Sequence, residues 1–105
     1  MQKNKLSIVI PVYNEAQALP LLHEALRSVS MSFPGTEVLY VDDGSIDGSA
    51  ETLRAIAKND SHVKVIIFGR NYGQTAAIRA GIEQSTGDII IPMDSDLEND
   101  PRDIP

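Results

Sequence analysis

The stretch Leu6–Val12, LSIVIPV, decides the fold, because it is a short run of mainly β-branched apolar residues. A run of this length and composition is typical of a strand that is buried on both sides. Three more runs of the same kind follow along the chain, EVLYV at residues 37–41, HVKVIIF at 62–68 and DIIIPM at 88–93. The sequence therefore predicts four strands of a buried sheet.

The intervals between these strands carry apolar residues at helical spacing, which predicts three amphipathic helices. The inward-facing residues are Leu19, Leu22, Leu26 and Val29 in the first helix, Leu53, Ile56 and Ala57 in the second, and Ala77, Ile78, Gly81 and Ile82 in the third, which spans residues 73–84. Alternating strands and helices of these lengths indicate βαβ units. The predicted fold class is therefore α/β, with a mostly parallel sheet and right-handed crossovers.

Capping residues indicate where the first two helices begin. Asn14 begins a capping-box pattern, which places the start of the first helix near Glu15. Pro20 then lies near that start, where a missing backbone N–H costs least. Ser45 and Asp47 are both candidates to cap the second helix.

Bulk properties exclude several classes of function. The chain has 105 residues, a formal net charge of −6 and no cysteine. It is thus at most one domain, without disulfides, thiolate metal sites or thiol catalysis, and the absence of cysteine fits a reducing compartment such as the cytoplasm. The sequence pI near 4.7 argues against a nucleic acid partner. No stretch has the roughly 20 apolar residues that a membrane span needs. An anionic ligand would require a helix N-terminus, local cations or a bound metal to offset repulsion.

Polar side chains follow the first, second and fourth predicted strands. The first strand ends in Pro11 and is followed by Tyr13, Asn14 and Glu15, the second is followed by Asp42 and Asp43, and the fourth by Asp94, Asp96 and Glu98. In open parallel sheets, ligands bind at the carboxyl ends of the strands. The three clusters should therefore converge on one rim of the sheet and favour a ligand site there.

Each of these residues also has a structural interpretation, and the sequence leaves both open. Asn14 and Glu15 are equally suited to cap a helix, and Tyr13 either packs or lies against a nucleobase. One of the two adjacent acids at the end of the second strand is expected to hold the turn before Gly44, while the other faces a ligand. Arg70 either pairs with a surface acid or faces a phosphate.

Asp94 and Asp96 carry the most specific signal, since two carboxylates so close after a strand can reach one cation or its bound water. Mg²⁺ and Mn²⁺ favour such ligands together with phosphate oxygens. The alternative is a solvated acidic loop. An EF-hand is disfavoured because Asn99 stands where glycine is required and Pro101 interrupts the loop. Gln74 stands where a phosphate loop needs lysine, so that motif is absent.

The two histidines offer no catalytic arrangement. His23 and His62 are far apart in the sequence and have no evident serine or aspartate partner, so a nucleophilic triad is not indicated. Both are expected to be surface or packing residues.

Four segments in this order resemble the successive motifs of family 2 glycosyltransferases, which have the GT-A fold. They are SIVIPVYNE, VDDGSIDGS, GRNYGQTAAIRAGI and TGDIIIPMDSDLENDP. Within the family, the order and the residues of these motifs resemble those of the branch that contains dolichol-phosphate mannose synthase and undecaprenyl-phosphate sugar transferases. The similarity covers nearly the whole chain. It is specific for the superfamily and weak for the identity of the sugar donor and the acceptor.

The resemblance implies roles for individual positions. Residues that match the nucleoside-contacting positions are Pro11, Tyr13 and Glu15 from the first strand motif and Val41 and Asp43 from the second, with Asp42 close enough to share that work. Asp94 and Asp96 match the DxD motif that binds Mg²⁺ or Mn²⁺ on the donor diphosphate. Glu98 replaces a residue that is usually glutamine in this branch and also lies near the metal.

The resemblance further implies an inverting transferase that uses a UDP- or GDP-sugar. The full-length enzyme would transfer the sugar to a lipid phosphate at the cytoplasmic face of the membrane, as part of cell envelope glycan synthesis. Residues 1–105 correspond to the N-terminal, donor-binding part, which ends soon after the DxD motif. The catalytic base and the acceptor groove would lie elsewhere, so we expect little or no transfer by this chain alone. An exposed edge of the fourth strand would favour a homodimer.

A second function remains open, that of a noncatalytic nucleotide- or metal-binding α/β regulatory domain. Receiver domains of flavodoxin-like topology also place paired acids at strand ends. They require a lysine on a later strand, and no lysine follows Phe68.

Overall fold

A computed structural model of the chain describes residues 5–94. Asp96 and Glu98, two of the three predicted metal ligands, lie outside the described residues. The order of elements is β1 (Leu6–Val12), α1 (Leu19–Ser32), β2 (Glu37–Asp42), α2 (Ser49–Asn59), β3 (Val63–Ile67), α3 (Gln74–Gln84) and β4 (Ile89–Pro92). All seven predicted elements are therefore confirmed.

The four strands form one parallel sheet in the order β3-β2-β1-β4. Ile8, Ile10 and Tyr40 are fully buried and belong to the core cluster that also contains the inward residues of α1 and α2. Val9 and Val41, which point to the other face because side chains alternate along a strand, lie under α3. The α/β class is confirmed, with α1 and α2 on one face of the sheet and α3 on the other.

Glycine at position 81 lets α3 approach the sheet closely. A Cβ atom added there would lie 2.3 Å from Cγ1 of Val9, so no other residue fits without movement of the sheet or the helix. Ala77 is also fully buried, and Ile78 is partly buried. Ile82, which was predicted to face inward, is instead 42% exposed. The reason is that the helix rests on two small residues four positions apart, and Ile82 lies about 100° around the axis from Gly81.

The first helix begins later than its capping pattern predicts. It starts at Leu19, with Pro20 in its first turn as predicted and Ala18 at the N-cap position. Asn14 adopts a left-handed conformation with φ of 52°. Its side chain accepts a hydrogen bond from the N–H of Ile46 in another loop and is therefore not available to cap α1.

The second helix has glycine rather than a polar side chain at its N-cap. Gly48 occupies that position with φ of 93°, so the prediction of Ser45 or Asp47 as the N-cap is wrong. Asp47 still contributes, because its Oδ1 accepts hydrogen bonds from the N–H and hydroxyl of Ser49. Leu53 is fully buried as predicted.

His23 is a packing residue with an aspartate partner, which the sequence analysis did not find. Its side chain is only 14% exposed, and its Nε2 lies 3.1 Å from Oδ2 of Asp60. Its Nδ1 lies 2.9 Å from the hydroxyl of Tyr40. Because burial raises the pKa of Tyr40, the hydroxyl stays protonated and donates to Nδ1, and Nε2 therefore donates to Asp60.

A buried carboxylate joins α3 to the amino-terminal edge of the sheet. Oε2 of Glu37 accepts hydrogen bonds from the hydroxyl of Ser7 at 2.5 Å and the N–H of Thr86 at 2.6 Å. Its Oε1 lies 2.9 Å from Nζ of Lys64. Burial acts to raise the pKa of Glu37, but these three partners outweigh it and lower the pKa to about 2.

Candidate functional site

A cavity of about 250 Å³ lies at the carboxyl rim of the sheet, beside the N-terminus of α3. Its lining residues are Pro11, Val12, Tyr13, Glu15, Asp43, Gln74 and Asp94. Five of the nine residues predicted as site residues are therefore together around one cavity. This convergence follows from the parallel sheet, which brings the ends of β1, β2 and β4 to the same edge.

The end of β1 provides one wall of the cavity. Pro11 and Val12 are buried, so only part of their surface reaches the cavity. Tyr13 follows the strand and is 47% exposed, and Glu15 is partly buried. An exposed aromatic ring beside a carboxylate can stack on a flat ring and accept hydrogen bonds from hydroxyl or N–H groups.

Asp43 forms the floor of the cavity and holds the loop before α3. Its Oδ1 accepts a hydrogen bond from the N–H of Tyr72 at 2.7 Å. Its Oδ2 accepts from the N–H of Gly73 and from Nδ2 of Asn71, both at 3.0 Å. A helix N-terminus attracts anions, and here the anion is a side chain of the protein itself. The diphosphate of a ligand would therefore meet a fixed negative charge just before the first turn of α3, which itself has no side-chain cap.

Gly44 allows the loops after β2 and β3 to touch. Its φ is +75°, and an added Cβ would lie 2.3 Å from the carbonyl carbon of Arg70 and 2.4 Å from the N atom of Asn71. The backbone of the loop that Asp43 binds therefore lies directly against the glycine. The position of the cavity floor depends on both residues.

Val41 and Asp42 do not line the cavity. Val41 is completely buried under α3. Asp42 is 1% exposed, and its Oδ2 accepts a hydrogen bond from the N–H of Ser45 at 3.3 Å. Among the described residues, its Oδ1 has no hydrogen-bond partner. Asp42 therefore holds the turn, as one of the two adjacent acids was predicted to do, and Asp43 is the acid that borders the cavity.

Gln74 is a residue of the site that the sequence analysis did not assign. It is the first residue of α3, and its Nε2 lies 3.3 Å from Oδ1 of Asp94 at the end of β4. The sequence did contain a signal, because the first residue of a helix after a parallel strand must lie near the carboxyl rim. In the sequence, however, Gln74 stands out only as the residue that rules out a phosphate loop.

The donor set suits a hard divalent cation, although the described residues do not complete a site. Glu15, Asp43 and Asp94 give the cavity three carboxylates, and neither lysine nor arginine from the described part of the chain lines it. Carboxylate and amide oxygens are ligands that Mg²⁺ and Mn²⁺ prefer. Between residues 5 and 94, no group of three or more histidine, aspartate or glutamate side chains could hold a metal ion. Further ligands would have to come from outside this range or from a bound molecule.

Within residues 5–94, Arg70 contacts an aromatic ring rather than an acid. Its guanidinium carbon lies 5.0 Å from the ring centroid of Tyr72, which packs edge-on against Phe68 with centroids 5.5 Å apart. This cation–π contact holds the only charged side chain of the loop between β3 and α3. Within residues 5–94, none of the helices has the length and apolar character to cross a membrane.

Comparison with known sequences identifies a family. The sequence model of the family described as Glycosyl transferase family 2 matches residues 7–105. A transferase of Proteus mirabilis named undecaprenyl-phosphate 4-deoxy-4-formamido-L-arabinose transferase is 49% identical over 104 residues, which cover 97% of this chain and 32% of that protein. The protein of the same name from Pseudomonas paraeruginosa is 52% identical over 104 residues, 94% of this chain and 30% of its own length. The chain thus spans about a third of these relatives.

Solved structures with the same fold carry nucleotides. The mannosyltransferase PcManGT from Pyrobaculum calidifontis, in complex with GDP-Man and Mn²⁺, superposes with a TM-score of 0.75 at 26% identity, over 91% of this chain and 28% of that one. Residues 1–349 of TarS from S. aureus, in complex with UDP, superpose with a TM-score of 0.69 at 27% identity, over 88% of this chain and 27% of that one.

Proposed function

The chain belongs to glycosyl transferase family 2, and on that premise we propose that its rim cavity binds a nucleoside diphosphate sugar together with a divalent cation. The observation that carries this proposal is the composition of the cavity. An exposed tyrosine and three carboxylates border it, and among residues 5–94 no lysine or arginine does. Such a cavity repels a diphosphate unless a cation lies between the two.

The nucleoside is proposed to lie against the end of β1. Tyr13 offers a ring for the base, and Pro11 and Glu15 complete that wall. Asp43 contributes from the floor, with its carboxylate already oriented by the loop before α3. The donor is a UDP- or GDP-sugar, in line with the UDP and GDP-Man of the two solved neighbours.

The cation is proposed to be Mg²⁺ or Mn²⁺, held by Asp94 with Asp96 and Glu98. Asp94 borders the cavity and is oriented by Gln74. The Mn²⁺ in the solved mannosyltransferase supports a divalent metal without distinguishing the two ions. When bound, the metal supplies Lewis-acid stabilisation of the charge that develops on the leaving diphosphate.

The sugar transfer itself is proposed for the longer protein of which this chain resembles the N-terminal third. The two relatives compared above are named as transferases that act on undecaprenyl phosphate. We therefore propose a polyprenyl phosphate as the acceptor, and a location at the cytoplasmic face of the membrane that carries this lipid. A phosphate acceptor is already an anion and needs little help from a general base. The present chain alone should show little or no transfer.

Titration calorimetry with UDP and GDP, each with and without Mn²⁺, tests the proposal. We expect nucleotide binding that requires the metal and that falls at least tenfold in Asp94→Asn or Asp96→Asn, because each substitution removes one charged metal ligand. Glu83→Gln is the matched control, since Glu83 is an exposed acid outside the cavity. Binding that ignores both the metal and Asp96 would contradict the proposal and favour the regulatory domain instead.

A further inference from the structure

The segments that follow the neighbouring strands β1 and β2 are hydrogen-bonded to each other beside the rim cavity. One contains residues 14–16 after β1, and the other contains residues 45–49, which run from the loop after β2 to the first residue of α2. We call these two segments the loop clip. The clip borders the cavity wall, because Tyr13 precedes its first segment and Glu15 lies within it.

Three successive backbone N–H groups of the first segment donate to side chains of the second. The three bonds run from Asn14 to Oγ of Ser45 at 2.8 Å, from Glu15 to Oγ of Ser49 at 3.0 Å and from Ala16 to Oδ2 of Asp47 at 3.1 Å. None of these N–H groups lies within a helix or a strand. The path of the first segment is therefore set by the side chains of the second.

Asn14 closes the clip from the opposite direction. Its Oδ1 accepts a hydrogen bond from the N–H of Ile46 at 2.9 Å. Its φ of 52° is the only positive value of a non-glycine residue between residues 5 and 94. Asparagine adopts this conformation more readily than most residues. The resulting bend lies between Tyr13 and Glu15, and both side chains line the cavity.

Ser49 and Asp47 are hydrogen-bonded to each other within the second segment. Ser49 is fully buried, and its hydroxyl donates to Oδ1 of Asp47 at 2.6 Å while accepting from Glu15. The hydrogen bond from the Ser49 hydroxyl is the main cause of the lowered pKa of Asp47, so this carboxylate is charged at neutral pH. Oδ1 of Asp47 thus accepts hydrogen bonds from the second segment, and Oδ2 accepts one from the first segment.

We propose that Asn14, Asp47 and Ser49 are positioning residues for nucleotide binding. They do not line the cavity. They fix the bend that holds Tyr13 and Glu15 in place before the nucleotide binds. Binding therefore does not lose free energy to the ordering of this wall. The inference rests on the proposed function, since it deepens the account of the same site.

Variants at Asn14 separate the bend from the hydrogen bond. Asn14→Gly adopts a positive φ without strain but loses the bond to Ile46. Asn14→Ala loses the bond and also resists the bend. In calorimetric titration of GDP or UDP in the presence of Mn²⁺, we expect binding to weaken about threefold in the glycine variant and about tenfold in the alanine variant.

Asn59→Ala is the matched control. It removes one hydrogen bond, from Nδ2 of an exposed asparagine to the carbonyl of Ala55 at the end of α2, far from the cavity. Its affinity for the nucleotide should equal that of the unaltered chain. If Asn14→Ala reduces the folded fraction at the assay temperature, Asp47→Asn replaces it, because Asp47 is exposed and its substitution does not disturb the core.

Amide hydrogen exchange without ligand gives a second readout. The N–H groups of residues 14–16 should exchange faster in Asn14→Ala and Asp47→Asn than in the unaltered chain, while those of β1 and β2 keep their protection. Unchanged affinity in both variants, with the unaltered chain binding nucleotide, would overturn the positioning role and leave the nucleotide site intact. Failure of the unaltered chain to bind nucleotide would overturn the proposed function itself and the positioning role with it.

Discussion

Asp43 shows how one side chain can serve both the fold and the site. It is 3% exposed and borders the rim cavity, yet both of its oxygens accept hydrogen bonds from the loop before α3. The sequence predicted that one of two adjacent acids would hold a turn and the other would face a ligand. Asp42 holds the turn, and Asp43 anchors a second loop. That second contact joins residues 28 to 30 positions apart, and no local pattern predicts it.

Asp43→Asn should lower the free energy of unfolding by about 2 kcal/mol. An amide can present its oxygen to Gly73 or to Tyr72, but the NH₂ group then faces the other N–H donor. The favourable charge at the N-terminus of α3 is lost as well. Urea denaturation monitored by circular dichroism measures the change.

Asp42→Asn is the control for this measurement, because Asp42 is an equally buried neighbour that accepts a single long hydrogen bond. We expect its effect to stay below about 1 kcal/mol. Equal losses in the two variants would show that burial, rather than the three hydrogen bonds to the loop, determines the cost.

At the scale of an element, α3 is held at both ends by carboxylates of β2 or of the loop that follows it. Asp43 binds the loop at its N-terminus, and Glu37 binds Thr86 just beyond its C-terminus. Between these two points, Gly81 rests against Val9. The helix therefore has no freedom to slide along the sheet, which fixes Gln74 beside Asp94 at the rim.

Glu37 should make the stability of the chain depend on pH in the acid range. Its pKa is lowered from 4.5 to about 2 in the folded chain, so its contribution is fully present above pH 4.5 and is lost as the pH falls towards 2. The contribution is on the order of 3 kcal/mol. Urea denaturation between pH 2 and pH 6 measures it.

Glu37→Gln should be less stable at neutral pH and should lose less stability on acidification. Part of the slope will remain in the variant, since hydrogen bonds from His62 and His23 outweigh burial and lower the pKa of Asp60 as well. If the free energies of unfolding of Glu37→Gln and the unaltered chain change in parallel with pH, Glu37 is not the source of the pH dependence.

The pattern of apolar residues predicted the helices and strands, but contacts between residues distant in the sequence determine where some of these elements begin. The continuous apolar run of β1 and the helical spacing of Leu19, Leu22 and Leu26 each reflect burial in the core, which the sequence displays directly. The start of α1 could not be predicted in this way. Asn14 binds Ile46, a partner 32 residues away, instead of the helix that follows it. His23 and Asp60, 37 residues apart, were missed for the same reason.

The molecule as a whole is acidic, and its candidate site is acidic too. The net charge is −6, and three carboxylates border the cavity. Asp43 places one of these charges just before the N-terminus of α3. Affinity for a nucleotide should therefore depend strongly on a cation that offsets this negative charge.

The exposed edge of β4 predicts self-association. β4 pairs with β1 on one side, and residues 5–94 provide no strand for its other side. Ile89 and Ile90 are 46% and 36% exposed. Light scattering should detect a dimer that Ile90→Lys weakens, because a charged side chain on an edge strand opposes pairing. Leu21→Lys, on the exposed face of α1, serves as the control, and a monomer at all concentrations would contradict the prediction.

The strand order β3-β2-β1-β4 has a consequence for where new chemistry can arise. β2 and β3 lie on one side of β1, and β4 lies on the other side. The helical connection from β1 to β2 therefore crosses one face of the sheet and the connection to β4 crosses the opposite face, so the two diverge at the carboxyl end of β1. A crevice opens there by topology alone. Substitution of every rim side chain would change which ligand the crevice binds but would not close the crevice. Proteins with this fold can therefore bind different substrates at the same position.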